Sequence, residues 1–159
     1  MSVKVIFLDV DGVLNCDKTT RIMDDIYMFV DTRKVLRLRN IIERTGAKLV
    51  LSSSWRYGAI KYALPHDAMA YLLLRQEFRR LRCPLWEDCT PILPNSKRER
   101  EIYAYLLEHP EIDNFIILDD YWQELEYYKD RLVVCNEHIG LTKERAELAI
   151  SMLNEGEEQ

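Results

Sequence analysis

Four short apolar runs constrain this chain more than any other feature: Val3–Leu8 and residues 47–51, 115–118 and 132–135 each end at a polar residue or cluster. Continuous apolar runs of this length, rich in β-branched residues, fit strands buried on both faces. Helix-period segments lie between them. Val35, Leu36, Leu38, Ile41 and Ile42 recur near the helical period after Asp31 or Thr32, either of which can cap a helix that Gly46 can end. Asp67 opens a second helical stretch to about Arg82, with a short strand expected over residues 85–87 before the Pro91 and Pro94 loop. Ser96 and Glu99 form a capping-box signature for a helix over residues 97–108, and Thr142 can cap a last helix through about Leu153. Alternation of strands and helices without an internal repeat predicts an α/β fold, a three-layer α/β/α sandwich around a central parallel sheet.

Composition narrows the class. A chain of 159 residues, 48% hydrophobic with 5 Gly and 5 Pro, excludes disorder and collagen. It is expected to form one domain over residues 1–153, followed by an acidic tail at 154–159 that frays. No stretch reaches the ~20 apolar residues of a membrane span, and Asp9 and Asp11 interrupt what would be a signal-peptide core, so a cytoplasmic protein is expected. Cys16, Cys83, Cys89 and Cys135 lack a CxxC pair and read as structural thiols.

The net charge of −5 hides an asymmetry. Residues 1–100 hold 18 Lys and Arg against 12 Asp and Glu, whereas residues 101–159 hold 4 against 15. Residues 33–100 alone carry a surplus of +9. Either this segment attracts an anionic partner, or Arg33, Lys34, Arg37, Arg39, Arg75, Arg79, Arg80 and Arg82 are the solvated faces of two helices.

In a parallel sheet, ligands lie at the carboxyl ends of the strands, near the topological switch point. Here those ends carry Asp9 and Asp11, Ser52 to Ser54, and Asp119 with Asp120. Carboxylates gathered at one edge repel unless a cation sits among them, and magnesium takes such oxygen ligands together with a substrate phosphate. A carboxylate beside the metal can attack phosphorus, and a second carboxyl two residues on can protonate the leaving oxygen and later deprotonate water. Asp9 and Asp11 have that spacing. A hydroxyl from Ser52 or Ser53 and a cation at Lys97 or Arg98 can hold the phosphoryl oxygens, with Arg56 as the preferred extra phosphate contact. Each element alone has a plainer use. Gly12 suits a turn needing positive φ, Ser52 to Ser54 suit a strand-to-helix turn, and Asp119-Asp120 suit a cap for a helix containing Trp122 and Leu125. Trp55 and Tyr57 can either stack on a base or belong to the core.

Taken together, these residues resemble the haloacid dehalogenase superfamily of phosphotransferases. The first motif resembles Phe7-Leu8-Asp9-Val10-Asp11-Gly12-Val13-Leu14, the second Leu49-Val50-Leu51-Ser52, the third Lys97 or Arg98 at a helix start, and the fourth Ile116-Ile117-Leu118-Asp119-Asp120. Ser52-Ser53-Ser54-Trp55-Arg56, the helix start at Arg98 to Ile102, and Gly140-Leu141-Thr142 look especially like the small domains of this superfamily associated with multidomain RNA-repair proteins. The resemblance implies a Rossmann-like core and a magnesium-dependent phosphatase. Asp9 would be nucleophile and metal ligand, and Asp11 general acid and base, also giving the metal its backbone carbonyl. Ser52 would bind the phosphoryl group, with Gly12 and Ser53 beside the substrate. Lys97 or Arg98 would stabilise the phospho-intermediate, and Asp120 would hold the metal with help from Asp119. The family's second acidic residue after the fourth motif is represented here only by Gln123 and Glu124.

About twenty residues separate Asp11 from the helix near Arg33, and residues 57–96 are largely needed for an ordinary helix and strand, so the domain is expected to be capless or minimally capped. An open site admits the end of a polymer, so phosphorylated RNA or DNA ends join small nucleotide or sugar phosphates as candidate substrates. A phosphate- or nucleic-acid-binding module without turnover is the alternative from another class. A signalling receiver domain uses similar groups, but there the acidic pair follows the first strand and the phosphorylated Asp a middle one, the reverse of the order here.

Overall fold

The computed structural model describes residues 2–20 and 29–156. Five parallel strands form one sheet: β1 (Val3–Leu8), β2 (Lys48–Leu51), β3 (Asp88–Cys89), β4 (Ile112–Asp119) and β5 (Leu132–Val134), in the spatial order β3-β2-β1-β4-β5. The chain moves outward from β1 through β2 to β3, then returns to β1's other side as β4. The switch point therefore falls between β1 and β4.

Side chains of successive strand residues point to opposite faces. Ile6, Leu8, Leu49, Leu51, Ile116, Leu118 and Val133 pack with α2 (Thr32–Thr45), α3 (Pro65–Arg80) and α5 (Lys143–Asn154). Val5, Phe7, Val50 and Ile117 pack against Ile102 and Tyr105 of α4 (Arg98–Glu108) and against Leu125. The three-layer α/β/α sandwich follows from this two-sided burial. A short helix α1 (Asp17–Thr20) follows β1, and three 3-10 helices cover Ser54–Ala59, Trp122–Glu124 and Glu126–Arg131.

Asp31 caps α2, accepting from Arg33 N at 2.9 Å, and Gly46 ends it at φ 69°, a left-handed conformation that glycine adopts without a Cβ penalty. Thr142 caps α5, accepting from Arg145 N at 3.2 Å. Three local expectations are corrected. The second long helix begins at Pro65 rather than Asp67, proline's fixed φ and missing donor suiting the first helical position. The short strand lies at Asp88–Cys89 rather than residues 85–87, set by pairing Val50 with Asp88 and Leu51 with Cys89. The capping box does not form: Lys97 occupies the cap position without a side-chain bond, and Glu99 instead accepts from Tyr127 N at 3.1 Å.

None of the four cysteines forms a disulfide among the described residues. Burial pushes the Cys83 and Cys135 thiols up to about 12, away from thiolate chemistry. Between β2 and β3 the chain consists of the 3-10 helix, α3 and their connecting turns; the expectation of a minimal cap after β1 falls partly on residues 21–28, outside the described residues. Residues 157–159 of the acidic tail also lie outside them. No helix among the described residues is long and apolar enough to cross a membrane.

Candidate active site

Register builds the site. Leu8 pairs with Leu51 on one side and with Leu118 on the other, so Asp9, Ser52 and Asp119 are the next residues of three adjacent strands. Backbone bonds continue the ladder to that level, from Asp9 N to Leu118 O and from Ser52 N to Leu8 O, both 3.0 Å. Thr90 extends the row beyond Ser52, its N–H donating to Leu51 O at 3.0 Å. The row thus carries two acids and two hydroxyls at the carboxyl edge.

Asp9, Asp119 and Asp120 each present a carboxylate oxygen within 4.8 Å of the others. Asp9 and Asp119 are buried, Asp120 half-buried. Arg98 reaches into the cluster, its Nη1 2.5 Å from Asp119 Oδ2 and 3.3 Å from Asp9 Oδ1. Burial works against the Arg98 charge, but Asp9 and then Asp119 outweigh it and hold the guanidinium more firmly protonated than usual. Burial, reinforced by Asp119, pushes the Asp9 carboxyl well above the ordinary carboxylate range, with Arg98 opposing. Burial and Asp119 also raise Asp120. Lys97, by contrast, is exposed at the cap position, so of the two candidate cations the structure brings Arg98 to the acids. Glu124 faces the same helix start, accepting from Arg98 N at 3.3 Å, rather than joining the carboxylate cluster.

Three carboxylates against one guanidinium leave buried negative charge, which fits a divalent cation. The 4.8 Å grouping is near the separation of about 4.2 Å that opposite oxygens take across a magnesium ion. A second observation agrees. The Ser52 hydroxyl is fully buried yet has no hydrogen-bond partner among the described residues, a loss of about 1–3 kcal/mol unless a ligand or water accepts or supplies a bond.

Asp11 stands apart from the cluster. Its carboxylate accepts from Asn15 Nδ2 at 2.9 Å and from the Trp55 indole Nε1 at 3.0 Å, while Asn15 Oδ1 accepts from Gly12 N at 2.9 Å. Asn15 was not singled out from the sequence; its place four residues after Asp11, directly after a turn, is the signal that could have found it. Trp55 is buried in the core and is not available to stack on a base.

Gly12 has φ 76°, and a Cβ there would sit 2.2 Å from Asp120 Oδ2. The glycine thus lets the first loop lie against the fourth-motif carboxylate. Gly12→Ala is expected to displace Asp120 and, where the cluster takes up magnesium, to weaken that uptake about 10-fold, measured by titration calorimetry. An unchanged affinity would contradict it.

Two expected substrate contacts have other employment. The Ser53 hydroxyl is buried and accepts from Trp55 N at 3.2 Å, capping the 3-10 helix. Arg56 is corrected outright as a phosphate ligand: only 3% exposed, it spends its N–H groups on the carbonyls of Ser52, Ser53, Thr90 and Pro91 and on Glu101 Oε2, 2.6 Å away. No donor is left to meet a substrate. Much of the basic surplus is likewise committed locally, as in Arg39–Glu43, Arg44–Glu147, Lys48–Glu87 and Arg80–Glu77.

Residues 5–146 match the family described as the HAD domain in Swiss Army Knife RNA repair proteins, HAD standing for haloacid dehalogenase. The chain belongs to this family. As a HAD domain it has the superfamily's Rossmann-like α/β core and a phosphatase-like character, and its acidic cluster lies where that fold gathers chemistry. No curated protein matches this HAD domain.

Proposed function

We propose that residues 1–153 form one catalytic unit, a magnesium-dependent phosphomonoesterase that works through an aspartyl-phosphate on Asp9 and acts on phosphorylated nucleic-acid ends. The observation that carries this reading is the Asp9–Asp119–Asp120 cluster, two of its acids buried and the third half-buried, with Arg98 reaching into it at the switch point. Membership of a family of RNA-repair domains supports the substrate class.

Asp9, Asp120 and the Asp11 backbone carbonyl would hold the magnesium, with Asp119 assisting; when bound, the metal neutralises charge so that an anionic nucleophile can approach a phosphate. An Asp9 carboxylate oxygen bonds to phosphorus as the ester P–O bond breaks, and Asp11 gives the leaving oxygen its proton. Asp11, oriented by Trp55 and Asn15, then takes a proton from water. The water oxygen attacks phosphorus, releasing phosphate and restoring the Asp9 carboxylate. Arg98 and the Ser52 hydroxyl donate to the phosphoryl oxygens throughout.

The test is phosphate release from p-nitrophenyl phosphate, from nucleotide and sugar phosphates, and from RNA and DNA oligonucleotides carrying 5′- or 3′-phosphates, with and without a chelator. Release that requires magnesium and favours oligonucleotides is expected. Preference for the small phosphates would overturn the substrate class alone. Folded, magnesium-loaded protein that releases nothing would overturn the hydrolase reading in favour of a binding module.

A further inference from the structure

A groove of about 650 Å³ on the β5 side meets the acidic cluster at Asp120, within the range of roughly 300–1,000 Å³ typical of small-ligand sites. Asp120, Tyr121, Trp122, Ile139 and Arg145 are among the residues that line it. Tyr121 is 52% and Trp122 53% exposed, an unusual place for two consecutive aromatics within two residues of Asp120. The Arg145 guanidinium has no hydrogen-bond or ion-pair partner among the described residues. Trp55, by contrast, is buried and tied to Asp11, so it cannot serve a ligand.

We infer that this groove is the leaving-group subsite, in which the terminal nucleobase of a nucleic-acid end stacks on Trp122 and Tyr121 while its phosphate sits at Asp9. The inference rests on the proposed phosphatase reading and deepens it. A base has a π-face for stacking whatever its identity, which suits recognition of an end without sequence preference. Glu137 and Asp120 offset Arg145 and leave the groove of mixed charge, better matched to a neutral nucleoside than to a run of phosphates. Arg145 can take the next phosphodiester. Entry from this side leaves the buried Arg56 network undisturbed and does not require the paired cations of α2 and α3.

Two measurements test it. The first is initial-rate kinetics on adenosine 3′- and 5′-monophosphate, each against the matching ribose phosphate, which keeps phosphate and sugar and removes only the base. The nucleotides are expected to have KM about 10-fold lower, and Trp122→Ala to erase that difference. The second is tryptophan fluorescence of the Asp9→Asn protein, in which turnover is blocked. Trp55 and Trp86 are buried, so quenching by a nucleotide but not by ribose phosphate reports stacking on Trp122, and it is expected to vanish in Asp9→Asn/Trp122→Ala. Phosphate release with no base dependence and no quenching would overturn the subsite and leave the phosphatase reading standing. Quenching without phosphate release from any substrate would support the subsite and remove the phosphatase reading. Quenching that persists without Trp122 would overturn the subsite.

Discussion

Asp9→Asn is expected to lower magnesium-dependent phosphate release by about four orders of magnitude or more, the scale on which removal of a nucleophile acts, and at the same time to stabilise the metal-free protein. The amide keeps the shape of a side chain only 5% exposed and removes one charge from beside Asp119 and Asp120. Arg98 retains Asp119 as a partner. The sign with pH follows from the raised Asp9 carboxyl: without metal, the folded protein keeps a proton that the unfolded chain releases near the ordinary carboxylate value of 3.8. Stability contributed by that proton is therefore full below this value and is lost as pH rises through the higher folded one. At pH 8 in chelator the Asn variant should be the more stable of the two. Excess magnesium should reverse the order by binding the wild-type site. Thermal melts at pH 5 and pH 8, with chelator and with magnesium, read all of this. An Asn variant that melts below wild type in chelator at pH 8 would refute the electrostatic account.

Arg56→Ala should produce the largest loss of stability, about 3–5 kcal/mol in urea unfolding. The substitution strands Glu101, 7% exposed, and takes the donor away from the carbonyls of Ser52, Ser53, Thr90 and Pro91. Glu101 keeps one other bond, accepting from Leu93 N at 3.0 Å, so the acid stays fixed in place after its partner has gone. The double variant Arg56→Met/Glu101→Leu should recover much of the loss, because it removes the uncompensated charge along with the bridge. A single-variant loss below about 1 kcal/mol would mean that the network is solvated rather than buried.

These two residues mark the boundary of what the sequence discloses. The placement of Asp9 in an acidic group at the carboxyl edge was legible because its context is local: an apolar strand, an acid, a second acid two residues on and a glycine already define a motif. The alternation of strands and helices and the cap at Thr142 were legible for the same reason, and the cap of α2 was narrowed to Asp31 or Thr32. Arg56 was misread because its partner Glu101 is 45 residues away, and nothing adjacent to Arg56 distinguishes a guanidinium that faces phosphate from one that closes a buried network. β3 was displaced because a two-residue edge strand has too little apolar pattern to fix its position, which its pairing with β2 supplies instead. The capping box failed because Tyr127, 28 residues away, claims Glu99. Lys97 and Arg98 are adjacent and carry the same charge, so the sequence cannot separate them; in the fold Lys97 takes the exposed cap position and Arg98 meets the acids.

The row formed by Thr90, Ser52, Asp9 and Asp119 has an evolutionary consequence. Because reactive groups on neighbouring strands share one register, deletion of a single residue inside β2 would turn Ser52's position toward the opposite face while leaving the strand just as apolar. Chain length within the strands is therefore as tightly constrained as residue identity. The connections at the far edge, such as the turn between α4 and β4, are free to gain or lose residues, so drift among descendants of this chain should accumulate there and leave the spacing along the carboxyl edge unchanged.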